Sequence, residues 1–315
     1  MNEPLVIVRA IHLATTLLLA GAISFRVFIA APAFGAIAGG RSAADGRIAL
    51  TRMIWGALVV AVISGAAWLM FLAAEIGGVP MAEAWSQGLA WVVLTQTQFG
   101  DDWMLRLAIA SLLAIFLLLP AIAPGLGAIA NAACALLAAG FAGSLAWAGH
   151  AAATEGFDGT IHVASDALHL VAAAAWLGGL WPLAVLLGGA RRNASPVSIA
   201  IAHHATRRFS ILGIICVATI LATGVVNTYE VLGPMVFMLG ADYNRLLLLK
   251  IGLFIAMLAI AAVNRLRLTP RLSAGGVQVL AIRQLEWNSL AEAGLGILIL
   301  GIVAALGRIS PHLHE

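Results

Sequence analysis

Eight long apolar segments limit what this chain can fold into more than any other feature of its sequence. Each segment is close to the roughly 20 residues that a helix needs to cross a bilayer. The runs are continuous, whereas the strands of a membrane barrel alternate over about ten residues, so helices are predicted. The segments are Leu5–Ala30, Met53–Ala74, Trp103–Pro120, Leu126–Trp147, Ile161–Leu187, Phe209–Val231, Arg245–Val263 and Trp287–Leu306. The sequence therefore predicts an all-α polytopic membrane protein with eight transmembrane helices.

The composition agrees with a membrane protein and excludes several classes of function. Only 10% of the residues are charged, against about 25% in an average soluble domain. The sequence contains no glycine-rich phosphate loop, no Ser–His–Asp arrangement and no zinc-protease helix, so we do not expect an enzyme. Cys134 and Cys216 lie inside apolar segments and predict no disulfide framework.

Basic residues predict the orientation of the chain in the membrane, because cytoplasmic connections carry an excess of arginine and lysine. Eleven arginines lie in the connections 1–2, 5–6 and 7–8, whereas the alternate connections are acidic or neutral. Both termini are therefore predicted outside the cytoplasm. Because topology explains the arginines, the net charge of +3 is no sign of nucleic-acid binding.

Parts of the sequence recur in its second half. Gly21 follows His12 by nine positions, and Gly178 follows His169 by the same offset. Two further pairs match, namely Gly100-Asp101-Asp102-Trp103 with Gly240-Ala241-Asp242-Tyr243, and Ser64-Gly65 with Thr223-Gly224. A unit of four helices crosses the membrane an even number of times, so its copy keeps the same orientation. We predict a tandem parallel repeat of two four-helix halves, residues 1–148 and 149–315.

Three histidines and an aspartate cluster near the start of the fifth segment: His150, His162, Asp166 and His169. Histidine is scarce, with eight in 315 residues. The spacing i, i+4, i+7 places His162, Asp166 and His169 on one face of a helix. Ionisable groups are costly inside a bilayer and generally face a protected interior or an aqueous path. The cluster is therefore the predicted functional site.

The residue types of this cluster predict a metal site, because imidazole suits copper, zinc, iron and nickel. His162 and His169 are about 10 Å apart along a helix, too far to share one ion, so the pattern favours a relay. Asp166 could orient either imidazole as a hydrogen-bond acceptor, or carry protons. His150 would approach His162 across a short external connection.

Other segments supply further candidate ligands. His12 is predicted to lie at the same depth as His169 and to face the bundle axis, the alternative being a structural hydrogen bond to a neighbouring helix. Met235 and Met238 offer thioethers, which select Cu(I), or pack at the membrane interface. In the C-terminal tail, His312 and His314 form either an outer metal contact or a tail end with no role.

Other charged residues also lie within or beside the apolar segments. We expect four of them to extend towards the membrane interface, since they lie near segment ends: Arg9, Arg26, Arg106 and Lys250. Glu292 lies inside the eighth segment near its cytoplasmic side. We predict that Glu292 forms a structural ion pair with Arg265 or Arg283, with proton transfer as its functional alternative.

Short motifs spread over most of the chain carry a resemblance to a known family. They are Arg9-Ala10-Ile11-His12-Leu13, Gly149-His150-Ala151, Ala167-Leu168-His169-Leu170, Trp176-Leu177-Gly178-Gly179-Leu180, Arg208-Phe209-Ser210, Thr223-Gly224-Val225-Val226-Asn227, Tyr243-Asn244-Arg245-Leu246 and Leu249-Lys250. In these motifs the chain resembles the CopD-type copper resistance membrane proteins.

The resemblance implies a multi-pass protein of the bacterial inner membrane that moves copper from the periplasm inward, with a small periplasmic copper-binding protein of CopC type as a partner. Its implied metal ligands are His12, His150, His162 and His169. The chain departs from a methionine-rich copper protein, with eight Met, and it carries no fused periplasmic copper-binding domain.

Copper transport through a histidine and methionine relay, with Cu(I) as the expected form, is thus the predicted function. One alternative is a membrane redox protein that holds haem b between His12 and His169 as axial ligands. The Ala-Leu-His motif and its following Trp-x-Gly also look like the first helix of HemJ-type membrane haem-biosynthesis proteins. The third alternative is a copper-binding sensor or docking platform that never transports.

Overall fold

The computed structural model describes residues 3–37, 40–148, 156–232, 242–273 and 276–307. Within these ranges every regular element is a helix, and eight helices are long and apolar enough to cross a bilayer. They are α1 (Pro4–Ala36), α2 (Ser42–Gly77), α3 (Gln98–Ile122), α4 (Pro124–Ala148), α5 (Gly159–Asn193), α6 (Pro196–Glu230), α7 (Tyr243–Leu272) and α8 (Gln278–Leu306). The predicted all-α fold with eight transmembrane helices is confirmed.

Several helices extend well beyond the apolar segments that predicted them. The helices α2, α6 and α8 begin at Ser42, Pro196 and Gln278, about 9 to 13 residues before the predicted starts, at the end of the bundle that carries the arginines. Hydropathy reports which residues can face hydrocarbon, whereas a helix continues wherever its backbone hydrogen bonds are satisfied. The extra turns therefore carry the polar connections of this end.

The connection between α2 and α3 is itself helical. Two short helices, Met81–Ser86 and Leu89–Gln96, follow one another across Gly88. Gly88 has a φ of +67°, a left-handed conformation that glycine adopts without strain. Trp85 and Trp91 of these helices are exposed, as is typical of residues at a membrane interface.

Helix α1 packs against helices of both predicted halves. It contacts α2 and α4 on one side and α5 and α8 on the other. Leu13 and Leu17 lie in an apolar cluster formed mainly with α2, α3 and α4. Phe25 and Ile29, further along α1, lie in a second cluster with residues of α5 to α8. One helix thus belongs to two cores.

The contact between α1 and α5 is a backbone contact between two glycines. A Cβ on Gly21 would overlap the backbone of Gly178, and a Cβ on Gly178 would overlap the carbonyl of Leu17. Gly178 also ends a π-helical turn, Ala174–Gly178, which interrupts the α-helical part of α5. The two glycines that match in the sequence comparison of the halves therefore meet each other, as equivalent residues do beside a two-fold axis. The division at residues 148 and 149 falls at the edge of the segment 149–155, outside the described residues.

Candidate metal-binding cavity

A cavity of about 190 Å³ lies at the end of the bundle where α1 begins and α8 ends. Side chains of α1, α4, α5, α6, α7 and α8 line it. Its polar and charged lining residues are Arg9, His162, Asp166, His169, Asn227, Thr228, Tyr243 and Lys250. Because this lining brings two imidazoles and a carboxylate into one cavity, it is the candidate site.

Helix α5 supplies three of these residues from one face. His162, Asp166 and His169 all lie in the continuous α-helical part Gly156–Ala173, before the π-helical turn begins. Their spacing therefore carries all three to the same cavity wall. At 1.5 Å per residue the two histidines are about 10 Å apart along the helix, so they are successive positions in one cavity.

A threonine of α6 fixes the orientation of His169. Nδ1 of His169 lies 2.9 Å from the hydroxyl oxygen of Thr223, and this hydroxyl donates its proton to the carbonyl of Thr219 at 2.7 Å. Since a hydroxyl has one proton, its oxygen accepts from His169, and the imidazole proton lies on Nδ1. Nε2 of the neutral ring therefore keeps the lone pair that a metal ion needs.

His162 and Asp166 complete this wall of the cavity. His162 is buried, and its Nδ1 has no hydrogen-bond partner in the part of the chain that the structure describes. A buried ring nitrogen without a partner is costly, and a bound ion would satisfy it. The side-chain amide of Asn227 donates to Oδ1 of Asp166 at 3.1 Å, which holds the carboxylate at the cavity.

His12 lies outside the lining of the cavity, and both of its ring nitrogens are occupied. Nδ1 lies 3.0 Å from the carbonyl of Ala61, and Nη2 of Arg106 lies 2.9 Å from Nε2. Because a guanidinium only donates, Nε2 is the acceptor and Nδ1 carries the proton. The rings of Trp68 and Trp103 enclose the imidazole at 5.6 and 5.5 Å between centroids. The geometry is that of a structural histidine.

Arg106, which holds His12, is itself buried, and the prediction that it extends towards the interface was wrong. Its side chain is only 2% exposed. Besides His12 it donates to the hydroxyl of Ser144 at 2.6 Å and to the carbonyl of Phe141 at 2.9 Å. These acceptors bind the two terminal nitrogens of the guanidinium inside the bundle, whereas Nε has no partner among the described residues. The side chain is therefore held in the interior and does not reach water.

The two inward histidines have equivalent partners in the two halves. Nδ1 of His12 lies 3.2 Å from the hydroxyl of Ser64, just as Nδ1 of His169 lies against that of Thr223. Ser64 and Thr223 are the matching residues of the small-polar–Gly pairs in the sequence. What differs among the described residues is the neighbour of Nε2, because an arginine contacts Nε2 of His12 and none contacts that of His169.

Glu292 lies at the opposite end of the bundle, in the wall of another cavity of about 360 Å³. Its Oε1 accepts from the side-chain amide of Asn264 at 2.7 Å, whereas Arg265 donates to the hydroxyl of Ser210. The expected ion pair of Glu292 with Arg265 or Arg283 was therefore wrong, since among the described residues an asparagine supplies the donor. Glu292 is remote from the histidine cavity and does not support its ligands.

The remaining predicted ligands fall outside the described residues. They are His150, Met235, Met238, His312 and His314. Within the described ranges, no three His, Cys, Asp or Glu side chains are close enough to surround one metal ion. The site that the structure describes is therefore a pair of separated imidazoles with a carboxylate between them along α5.

The comparisons with known proteins agree on one family. The profile described as "Copper resistance protein D-like, N-terminal domain" matches residues 1–160, and that of "Copper resistance protein D" matches residues 203–306. Copper resistance protein D of Pseudomonas syringae pv. tomato is 30% identical over 80% of this chain and 84% of its own length. The chain belongs to the copper resistance protein D family.

Other relatives match a smaller share of this chain. Inner membrane protein YebZ of Escherichia coli (strain K12) is 33% identical over 70% of this chain and 72% of its own length. Copper transport protein CutJ of Bacillus subtilis (strain 168) is 34% identical over 38% of this chain and 21% of its own length. No solved structure matches this member of the family.

In this member of the copper resistance protein D family, several residues that line the cavity were not predicted from the sequence to belong to the site. Thr223 entered only as a repeat marker, and Asn227 only as part of a family motif. Lys250 was expected at the interface, yet it lines the cavity. The available signal for Lys250 was its position inside an apolar segment, where a charged residue generally has a functional reason.

Proposed function

We propose that this protein binds Cu(I) in the cavity of α5 and passes it across the bacterial inner membrane, from the periplasm towards the cytoplasm. The observation that carries the proposal is the state of the two imidazoles. His169 is held through Nδ1 with its Nε2 lone pair available, and His162 is buried with no partner for Nδ1 among the described residues. An imidazole binds a metal ion through a ring nitrogen that keeps its lone pair.

The relatives support copper as the ion and the inner membrane as the location. The two relatives named for copper are a copper resistance protein and a copper transport protein. The Escherichia coli relative is named as an inner membrane protein. The periplasmic position of both termini, which places the cavity on the outer side, rests on the distribution of arginine.

In this proposal copper steps along α5. It is captured at His162 with His150, Met235 or Met238, which the sequence adds from outside the described residues, and then moves to His169 one step deeper. His12 is not a ligand here, because Arg106 and Ala61 occupy its two nitrogens. A periplasmic protein of CopC type is the proposed donor of the ion.

The membrane potential supplies the driving force for inward movement. One positive charge that crosses an inside-negative membrane gains about 2.3 kcal/mol per 100 mV. Inward flux of Cu(I) therefore needs no nucleotide hydrolysis, in agreement with a sequence that has no phosphate-binding loop.

The proposal is tested by a Cu(I) competition titration of the purified protein against a His162→Ala/His169→Ala variant, with the optical spectrum recorded for each. The matched control is His203→Ala/His204→Ala, which removes two histidines of α6 that do not line the cavity. We expect tight binding by the wild type and the control, and loss of binding by the cavity variant.

Two results would contradict the proposal. Equal Cu(I) binding by all three proteins would place the site elsewhere. An intense Soret band in the purified wild type would instead identify a haem protein, the redox alternative that the sequence leaves open.

A further inference from the structure

The lining of the cavity includes a lysine, a residue type that is rare in this sequence. Lys250 of α7 lines the cavity, and Lys250 is the only lysine in the 315 residues of the sequence. Its side chain shares this lining with Asp166 and His169. A lysine beside proposed copper ligands needs an explanation, because its charge repels the ion that these ligands would bind.

The other charged residues of the lining do not cancel Lys250. Arg9 adds a second positive charge, and its guanidinium is held at the rim by the carbonyl of Gly307 at 3.1 Å and by the face of Trp68. Asp166 contributes the one negative charge among the described lining residues. Among the Lys, Arg and Asp side chains of the described wall there is therefore one more positive than negative charge.

The ligands alone would not discriminate against divalent ions. Imidazole and carboxylate bind Zn²⁺ and Cu²⁺ well, and the usual order of affinities favours these ions. The cavity needs a further property if it is to take a monovalent ion. A fixed positive charge has this property, because the repulsion is proportional to the charge of the bound ion.

We propose that Lys250 makes the cavity selective for monovalent copper against divalent metal ions. The cavity has a volume of only about 190 Å³, so an ion bound in it lies close to Lys250, and unit charges at short separations inside a protein interact strongly. The ammonium group therefore weakens the binding of any cation, but it weakens a divalent ion twice as much in free energy. This inference rests on the proposed function and names the ion that the same site selects.

The test compares ions of different charge on variants of Lys250. Ag⁺ serves as the monovalent probe and Zn²⁺ as the divalent probe, since neither changes oxidation state in the titration. Lys250→Gln and Lys250→Leu remove the charge in two different ways, and Lys250→Arg keeps it. The control Arg267→Gln removes one charge from the far, exposed end of the same helix.

For both neutral variants we expect tighter binding of Ag⁺ by about tenfold or more, and of Zn²⁺ by about the square of that factor. The ratio of the two affinities should stay at its wild-type value in Lys250→Arg and Arg267→Gln. If the affinities for both ions changed by the same factor, or if neither changed, the proposed role of Lys250 would be overturned. The proposed copper site would be unaffected by that result. A wild type that binds neither Ag⁺ nor Cu(I) would overturn the proposed function itself.

Discussion

Both inward histidines are held through Nδ1, and the neighbour of Nε2 decides what each one can do. Arg106 donates to Nε2 of His12, which makes this imidazole part of a closed hydrogen-bond network. Among the described residues no such donor contacts Nε2 of His169, and its ring borders a cavity. The position three residues after Tyr243, which matches Arg106 after Trp103, is Leu246. One substitution between the halves thus separates a structural histidine from a candidate ligand.

Thr223 is predicted to tune the metal affinity of His169. Thr223→Val removes the acceptor of the Nδ1 proton, so the ring loses its fixed orientation. We expect Cu(I) affinity to fall about 10- to 100-fold, the usual cost of losing such a partner, and Thr223→Ser to restore it. Thr219→Val is the matched control, because among the described residues the Thr219 hydroxyl bonds only to the carbonyl of Ile215. Equal affinities in a Cu(I) competition titration would show that Thr223 does not act on the site.

Arg106 is predicted to stabilise the fold rather than to bind copper. Arg106→Leu leaves Nε2 of His12 and the hydroxyl of Ser144 without their donor, at a cost of about 3 kcal/mol. A thermal melt in detergent should show a clearly lower Tm, whereas Arg267→Leu, at an exposed position, should leave it unchanged. Cu(I) binding by the folded fraction should persist. An unchanged Tm, or loss of copper binding by folded protein, would contradict this assignment.

At the scale of the helices, α1 and α5 form the junction between the two halves. The close approach at Gly21 and Gly178 fixes where α5, and with it His162 and His169, lies relative to α1. Because this contact is between backbones, a side chain at either glycine changes the separation of the helices.

Gly21→Ala is therefore predicted to destabilise the protein. The added Cβ would overlap the backbone of Gly178, and overpacking of this kind costs about 1–3 kcal/mol. Gly56→Ala, whose Cβ would have open space, is the control and should be neutral or slightly stabilising. Thermal melts of both variants measure the difference. A Gly21→Ala protein as stable as the control would show that the two helices are not in backbone contact.

The sequence predicted the helices and the α5 face well, and the cross-helix partners poorly. Periodicity along one helix places His162, Asp166 and His169 together, because this spacing is local. The partners Thr223, Asn227 and Lys250 come from α6 and α7, and their approach depends on how the helices pack. Arg106 was misjudged for the same reason, since its acceptors on α1 and α4 are distant in sequence.

At the scale of the whole molecule, the two cavities lie at opposite ends of the bundle. The histidine cavity lies where α1 begins and α8 ends, and the Glu292 cavity lies at the other end. The tandem repeat stays a prediction. It is supported by the matching pairs His12–Ser64 and His169–Thr223 and by the contact of Gly21 with Gly178. The orientation of the bundle in the membrane is likewise open to a direct test.

Single cysteines at the two ends should react from opposite sides of the membrane. Ser86→Cys lies in the connection between α2 and α3, Ser273→Cys lies between α7 and α8, and both positions are exposed. The native Cys134 and Cys216 are buried, so the background should be low. A membrane-impermeant maleimide added to intact cells with a permeable outer membrane should label Ser86→Cys alone. Labelling of Ser273→Cys instead would reverse the orientation and place the cavity on the cytoplasmic side.

The most direct test of the central claim is the flux of Cu(I) into proteoliposomes under an imposed inside-negative potential, with the cavity at the outer face. The account predicts copper accumulation that grows with the potential, disappears in His169→Ala and persists in the His203→Ala/His204→Ala control. A wild type that binds Cu(I) but accumulates none at any potential would contradict transport and identify a copper-binding protein that does not carry its ion across.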